Sequence, residues 1–362
     1  MITKDMIVEK AQKIGFDLVG FTTAEPFHQI KKILRERKKN NKLSPFMSHD
    51  LELLTNPKAH LSSAKSIISL AMSYASSKRA DSNKDYSLSI YSQGLDYHNV
   101  FAKKISKLID YIHNNADNVE TKSYVDTGPI LDRAIAERAG LGWIGKNNNL
   151  INQKYGSYIF LGEIIINLEF PEDKRAENLC ADCTKCIDSC PGGALEKEKY
   201  INPDKCIGYL TQKKGIIPIN ERKLIGNNLW GCDTCQRVCP YNQDIEVDLH
   251  EDFEIKLDKD IEEILSFTQN NFPKEWKNSA LSWRGVRILK RNALIVIANK
   301  KLKSYKEEVI ELFDHPSSVI RAYAYWTYSQ ISNNYYDLLT SQLKKEKTPE
   351  GKKELKSILN KR

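Results

Sequence analysis

Eight cysteines lie between positions 180 and 239, and their spacing is the strongest chemical signal in the chain. The first run is Cys180-x2-Cys183-x2-Cys186-x3-Cys190-Pro191. The second set is Cys206, then Cys232-x2-Cys235-x3-Cys239-Pro240. Two-residue spacers let a tight loop curl round a cubane and place successive thiolates on neighbouring irons. A three-residue spacer ending in proline aims the fourth thiolate elsewhere, as in two-cluster ferredoxins. On that logic Cys180, Cys183, Cys186 and Cys239 hold one 4Fe–4S cluster, and Cys190, Cys206, Cys232 and Cys235 hold the other. The second set departs from the common pattern, because Cys206 precedes Cys232 by 26 residues. A lone CxxC pair also suits zinc, but zinc has no need of the long run or of the crossed sharing.

The rest of the chain must position these cysteines and receive their electrons. At 362 residues it is long enough for two or three domains. The N-terminus MITKDMIVEKAQKIGFDLVG is charged throughout and lacks the apolar segment of a signal peptide. No stretch approaches the roughly 20 apolar residues that span a membrane. A cytoplasmic protein without a membrane partner is expected, and a reducing compartment turns the cysteines toward metal or redox use rather than disulfides.

Residues 1–170 read as mixed α and β. TKDMIVEKAQKIG has helical spacing, with Thr3 as N-cap and Gly15 as stop. FDLVGFT, SIISLAMSYA and GSYIFLGEIIINL read as buried strands, and YHNVFAKKISKLIDYIHNN as an amphipathic helix. The stretch SSKRADSNKDYSLS is a polar loop. Residues 171–245 hold every cysteine and form the cluster domain. Residues 246–362 are helical. There, RGVRILKRNALIVIANK and VIRAYAYWTYSQI repeat a similar pattern about 30 residues apart, as stacked hairpins of the HEAT type would; a plain helical bundle accounts for the same pattern. Residues 271–362 carry 19 Lys/Arg against 9 Asp/Glu, whereas the remainder is slightly acidic. A basic domain suits a polyanionic partner, or it is simply a solvated lysine-rich surface.

The segment YVDTGPILDRAIAERAGLGWIGKNNNLI, then GSYIFLGEIIIN, GCDTCQRVCP and SWRGVRILKRNAL, in that order, resembles the epoxyqueuosine reductase family over nearly the whole chain. The resemblance implies an α+β protein: a nitroreductase-like cobalamin-binding domain, a ferredoxin-like two-cluster domain and a C-terminal HEAT-like domain. It implies a cytoplasmic, cobalamin-dependent enzyme with two 4Fe–4S clusters. Such an enzyme reduces epoxyqueuosine to queuosine at the wobble position of tRNA anticodons, the last step of queuosine biosynthesis. A separate low-potential electron donor and a monomeric state are expected.

Residue by residue, Asp126 in VDTG matches the family's general acid and borders the cofactor. A carboxyl doing this near neutral pH needs a raised pKa, obtained by burial against corrin and substrate. Asp126 could otherwise be the N-cap of PILDRAIAERAG, with Pro129 in the first turn. Asp132 and Arg133 read as a structural charged pair. Corrin contacts implied by matching segments are Lys146, Asn147 and Leu150 in GKNNNL, Leu161 on the next strand, Gly208 and Thr211, and Asp233 with Thr234; ordinary packing is the other reading of Leu150 and Thr211. tRNA contacts are expected from Lys213 and Lys214 and from Arg284, Arg287, Lys290 and Arg291, which share a face if one helix carries them. The chain departs from the family at Leu54, Ile90 and Leu95, where basic residues are common. His98 reads as structural rather than as a cobalt ligand. A cobalamin-dependent reductive dehalogenase, for which an export leader is expected, and a ferredoxin-like electron carrier are the competing readings. The carrier leaves the segment around Asp126 without a purpose.

Overall fold

The run Ser66–Ser73 is buried at every position, so its sheet has to be covered on both faces. A computed structural model describes residues 2–77, 85–197, 200–254 and 257–360. Of the expected polar loop at 76–89, residues 78–84 lie outside the described residues. The chain divides into two units. The sheet unit comprises Met1–Ser77, Leu95–Pro203 and Thr234–Glu254, and the helical unit Lys78–Gly94, Asp204–Asp233 and Ile255–Arg362. The cysteine-bearing stretch 171–245 is therefore shared between them.

In the sheet unit, β1 (Leu18–Thr23), β2 (Ser66–Ser73), β3 (Thr121–Tyr124) and β4 (Ile159–Ile166) run antiparallel in the order β1-β2-β4-β3. Two helices, α1 (Lys4–Ile14) and α2 (Tyr97–Asn115), pack together on one face. The Thr3 hydroxyl caps α1 by accepting from Met6 N–H, and Gly15 stops it at φ +102°, as the sequence indicates. Phe16 meets Phe101 of α2 edge-on at 5.5 Å. A Cβ on Gly162 of β4 would stand 2.7 Å from the Phe101 ring, so glycine lets α2 lie close to the sheet.

The other face is covered by α3 (Asp132–Arg138), through Ile67, Ile130, Ala134, Ile135 and Ile165. Arg138 fixes α3 to the end of β1. Its guanidinium donates to Thr22 Oγ1 at 3.0 Å, Thr23 O at 2.6 Å and Glu25 O at 2.7 Å, and lies 3.8 Å from the Phe27 ring centre.

In the helical unit, α4 (Val286–Lys300), α5 (Ser318–Ile331), α6 (Tyr336–Lys345) and α7 (Pro349–Leu359) share one core. Helix α4 packs on α5, which packs on α7, while α6 lies against α7. Residues 204–233 join this core through Leu210, Ile217, Ile225, Leu229 and Trp230. Asn292 of α4 holds them by donating to Thr211 O and Leu229 O, each at 2.8 Å. Arg222 makes a two-pronged pair with Glu354 at 2.8 and 2.9 Å, with its guanidinium over Tyr323 and Trp326. Among the described residues no helix is long and apolar enough to cross a membrane.

Candidate active site and cluster ligands

Cys180, Cys183, Cys186 and Cys239 line one small cavity of the sheet unit, beside Lys146, Asn147, Ile151 and Tyr241. Two short helical turns, Lys185–Asp188 and Thr234–Arg237, pack together here. Trp143 and Ile151 pack with Cys239 and Cys180, and Tyr241 donates to Leu179 O at 2.9 Å. No disulfide joins any of the eight cysteines. Burial pushes the Cys186 and Cys239 thiols up, and neighbouring cysteines push further in the same direction. Four thiolates round a dry space repel one another unless bound cations neutralise them, which is what an iron–sulfur cube supplies. Among the described residues no three His, Cys, Asp or Glu converge on a single-ion site; a cube has its thiolates on separate irons, so these cysteines ring a space. Of the other four, Cys190 and Cys235 lie in the sheet unit, and Cys206 and Cys232 in the helical unit.

Asp126 sits in the loop between β3 and α3. Its φ of +51° is left-handed, and Thr127 N–H closes a tight turn onto Val125 O. A non-glycine residue held this way carries strain, a common feature of functional loops. Gly128 is needed because a Cβ there would fall 2.3 Å from the Tyr124 ring. The first residue of α3 is Asp132 and its N-cap position is Leu131, so Asp126 is not a cap.

The Asp126 side chain is 60% exposed. Tyr97 Oη donates to its Oδ2, and His98 Nε2 stands 3.6 Å from the same oxygen. Tyr97 is stacked between His98 and Phe160, each at 4.1 Å. His98 Nδ1 lies 2.7 Å from Asp96 Oδ1. Partial burial raises the Asp126 carboxyl, but His98 and Tyr97 outweigh it and hold the group below its usual value. Burial lowers the His98 imidazole, but Asp126 and Asp96 outweigh that and bring it up to about 9. In the chain by itself, then, Tyr97 and His98 hold the Asp126 carboxyl down, whereas the expected rise depends on burial against corrin and substrate.

The expected Asp132–Arg133 pair is corrected. Arg133 donates to Asn148 O. Asp132 instead faces Glu163 of β4, and burial raises both carboxyls, with each partner's charge adding to the effect on Glu163. Glu163 is fully buried, and among the described residues no donor reaches either of its oxygens or Asp132 Oδ1. The sequence reading passed over Glu163, although one carboxylate inside the apolar run IFLGEIII was a usable signal.

Cobalamin needs a broad apolar surface flanked by polar groups. In the sheet unit Leu18, Ala71 and Leu161 lie side by side in register, and Leu18, Leu161 and Ile144 are only half-buried. Lys146 and Asn147 are buried, and Asn147 donates to Cys235 O at 3.4 Å. These residues fit a macrocycle. Leu150 is packed with Ala136, Leu141 and Tyr155, so its place is ordinary core. Thr234 Oγ1 accepts from Arg237. In the helical unit, the Thr211 hydroxyl donates to Gly208 O and accepts from Gly231 N–H, a structural use. Asp233 accepts from Ser89 Oγ and Ile90 N–H.

The basic set does not share one exposed face. Arg284 lies in a 3-10 turn before α4. Arg291 is fully buried and spends its donors on Leu210 O, Thr211 O, Lys213 O and Asn292, so it is not available to phosphates. Lys290 is also buried. Lys213 pairs with Glu221 at 2.9 Å. Lys214 and Arg287 are exposed, as is Trp283, on whose ring the Arg284 guanidinium stacks at 3.7 Å.

The family model described as "Epoxyqueuosine reductase QueG, DUF1730" matches residues 55–127, ending just beyond Asp126. That described as "4Fe-4S double cluster binding domain" matches residues 179–242 and takes in all eight cysteines. The epoxyqueuosine reductase of Bacillus anthracis is 39% identical over 91% of this chain and 90% of its own. That of Bacillus subtilis is 38% identical over 97% of this chain and 94% of its own. A crystal structure of epoxyqueuosine reductase with an epoxyqueuosine-modified tRNA-Tyr stem loop superposes with a TM-score of 0.94, at 38% identity over 99% of this chain and 98% of that one. A Bacillus subtilis structure whose aspartate-bearing catalytic loop is swung out of the active site also gives 0.94, at 36% identity over the same shares. The relatives favour the tRNA-enzyme reading over the dehalogenase and carrier readings, and the double-cluster match gives the chain two 4Fe–4S clusters. The chain is an oxidoreductase that belongs to the epoxyqueuosine reductase family.

Proposed function

We propose that this chain reduces epoxyqueuosine to queuosine in the anticodon stem-loop of tRNA, with Asp126 delivering a proton to the departing oxygen. The observation that carries this reading is the Asp126 turn: a strained, exposed carboxyl bonded to Tyr97 and beside His98. The reaction breaks two C–O bonds, forms one C=C bond, and consumes two electrons and two protons as the oxygen leaves as water. The clusters relay the electrons one at a time from an external low-potential donor. Cobalamin, when bound, supplies a strongly nucleophilic reduced cobalt.

In this account Leu161, Lys146 and Asn147 hold the corrin in the sheet unit, with Leu150 and Thr234 behind them; Asp233, Gly208 and Thr211 belong to the same set. Cys180, Cys183, Cys186 and Cys239 ligate one cluster, and Cys190, Cys206, Cys232 and Cys235 the other. Tyr97 and His98 orient Asp126, and His98 reloads it with a proton. Residues 1–170 serve as a nitroreductase-like cobalamin domain, 171–245 as a ferredoxin-like domain and 246–362 as a HEAT-like tRNA-binding domain, in a cytoplasmic monomer. On the helical unit, Lys214, Arg284 and Arg287 contact phosphates, and Trp283 offers a ring on which a base can stack. The test is anaerobic purification with cobalamin, quantification of iron and corrin, and nucleoside analysis after reaction with epoxyqueuosine-containing tRNA. Queuosine formation supports the reading; a corrin-free protein that leaves the tRNA unchanged refutes it.

A further inference from the structure

We propose that Asp132 and Glu163 share one proton and act as a store that supplies the second proton of the reaction by way of Asp126. The inference deepens the proposed function, on which the proton's destination rests. Reduction of the epoxide needs two protons, and Asp126 carries one at a time.

The geometry is that of a buried pair of acceptors. Glu163 is fully buried in β4, directly across from Ser69 of β2 and Tyr124 of β3. Neither Glu163 oxygen has a hydrogen-bond partner among the described residues, nor has Asp132 Oδ1 or Ser69 Oγ. Two carboxylates facing each other in a dry site cannot both ionise, and a proton held between them satisfies an oxygen on each. Glu163 also shares its sheet face with Leu161, two residues away on the surface that fits the macrocycle.

The other groups around the pair act as follows. The Asp126 carboxylate opposes ionisation of both members, so the charge of Asp126 and the proton on the pair are linked. Arg133 favours ionisation of Asp132. Tyr124 has its hydroxyl engaged with His60 Nδ1 at 2.8 Å and is not a donor to Glu163. His98 acts on Asp126 from the N-terminus of α2. Asp126 passes a proton taken from His98 to the substrate oxygen and is left a carboxylate again; the pair's proton then follows by the same route and completes the two that the reaction consumes. Asp132 and Glu163 are thus positioning residues that act through Asp126, because neither is placed against the substrate.

The test uses the full chain carrying its clusters. Infrared difference spectroscopy in H2O and D2O should show a protonated carboxyl at neutral pH, shifted in frequency in each of Glu163→Gln and Asp132→Asn and absent when the two substitutions are combined. In single-turnover reduction of epoxyqueuosine-containing tRNA, each variant with normal iron content should react about 10-fold more slowly. Each should also lose the decline of rate that follows deprotonation of the pair. A wild-type chain without the protonated carboxyl, or variants with unchanged rate and pH profile, would overturn the proposal. A wild-type chain with the infrared signal but no queuosine would overturn the proposed function and the proton's destination, while the shared proton itself would stand.

Discussion

Glu163 and Glu346 are both nearly removed from water, one in each unit, and their surroundings are opposite. Glu346 accepts from Arg321 twice at 2.8 Å, from Tyr325 at 3.0 Å, and from the Thr348 N–H and hydroxyl at 2.8 and 2.7 Å. The Arg321 guanidinium holds its carboxyl well below the usual range. Among the described residues no group other than its partner Asp132 can donate to Glu163, and burial followed by the charge of Asp132 pushes it up. A saturated buried carboxylate ties helices together, whereas an unsatisfied one costs stability that only a reactive role would justify. Arg222 and Arg291 in the helical unit repeat the saturated pattern with the charge reversed.

The same substitution should therefore act differently in the two units. Glu346→Gln removes the charged partner of Arg321 and should destabilise the helical unit by about 3–5 kcal/mol. Glu163→Gln adds a donor toward Asp132 and should change stability by no more than about 1 kcal/mol. Hydrogen exchange in α5 and β4 reads the two separately, and equal losses would break the comparison.

Acid and base should likewise loosen opposite units. Glu346 has a depressed folded pKa, so its contribution is present above the unfolded value and is lost as pH falls through the folded one. Glu163 has a raised folded pKa, so its contribution is full below the unfolded value and is lost as pH rises through the folded one. Exchange in α5 should quicken on acidification and exchange in β4 on alkalinisation. A single pH trend across both would contradict the account.

The smallest effect concerns the surface of the helical unit. Reversing the charges of Lys214 and Arg287 should weaken tRNA binding and lower its log–log salt slope by about 1 for each phosphate no longer neutralised. Binding titrations at several salt concentrations measure this, and an unchanged slope would remove these residues from the interface.

What was legible in the sequence was local. The caps of α1 and the span Tyr97–Asn115 follow from periodicity and capping within one segment. The grouping of Cys180, Cys183 and Cys186 follows from spacing alone. Charge state was not legible, because the low pKa of Asp126 depends on Tyr97 and His98 arriving from another element. The burial of Lys290 and Arg291 was hidden for a related reason. Helix α4 is covered nearly all round, and residues 204–233 occupy the face that the charges suggested was open. Glu163 was visible as a lone carboxylate in an apolar strand, but its partner Asp132 sits on a different element, so only the fold joins them.

The most direct measurement is single-turnover reduction of epoxyqueuosine-containing tRNA by Asp126→Asn, beside the parent chain, with both clusters verified by electron paramagnetic resonance. The account predicts intact clusters and a rate lowered by about 10²–10⁴-fold. Queuosine formed by Asp126→Asn at close to the parent rate would contradict it.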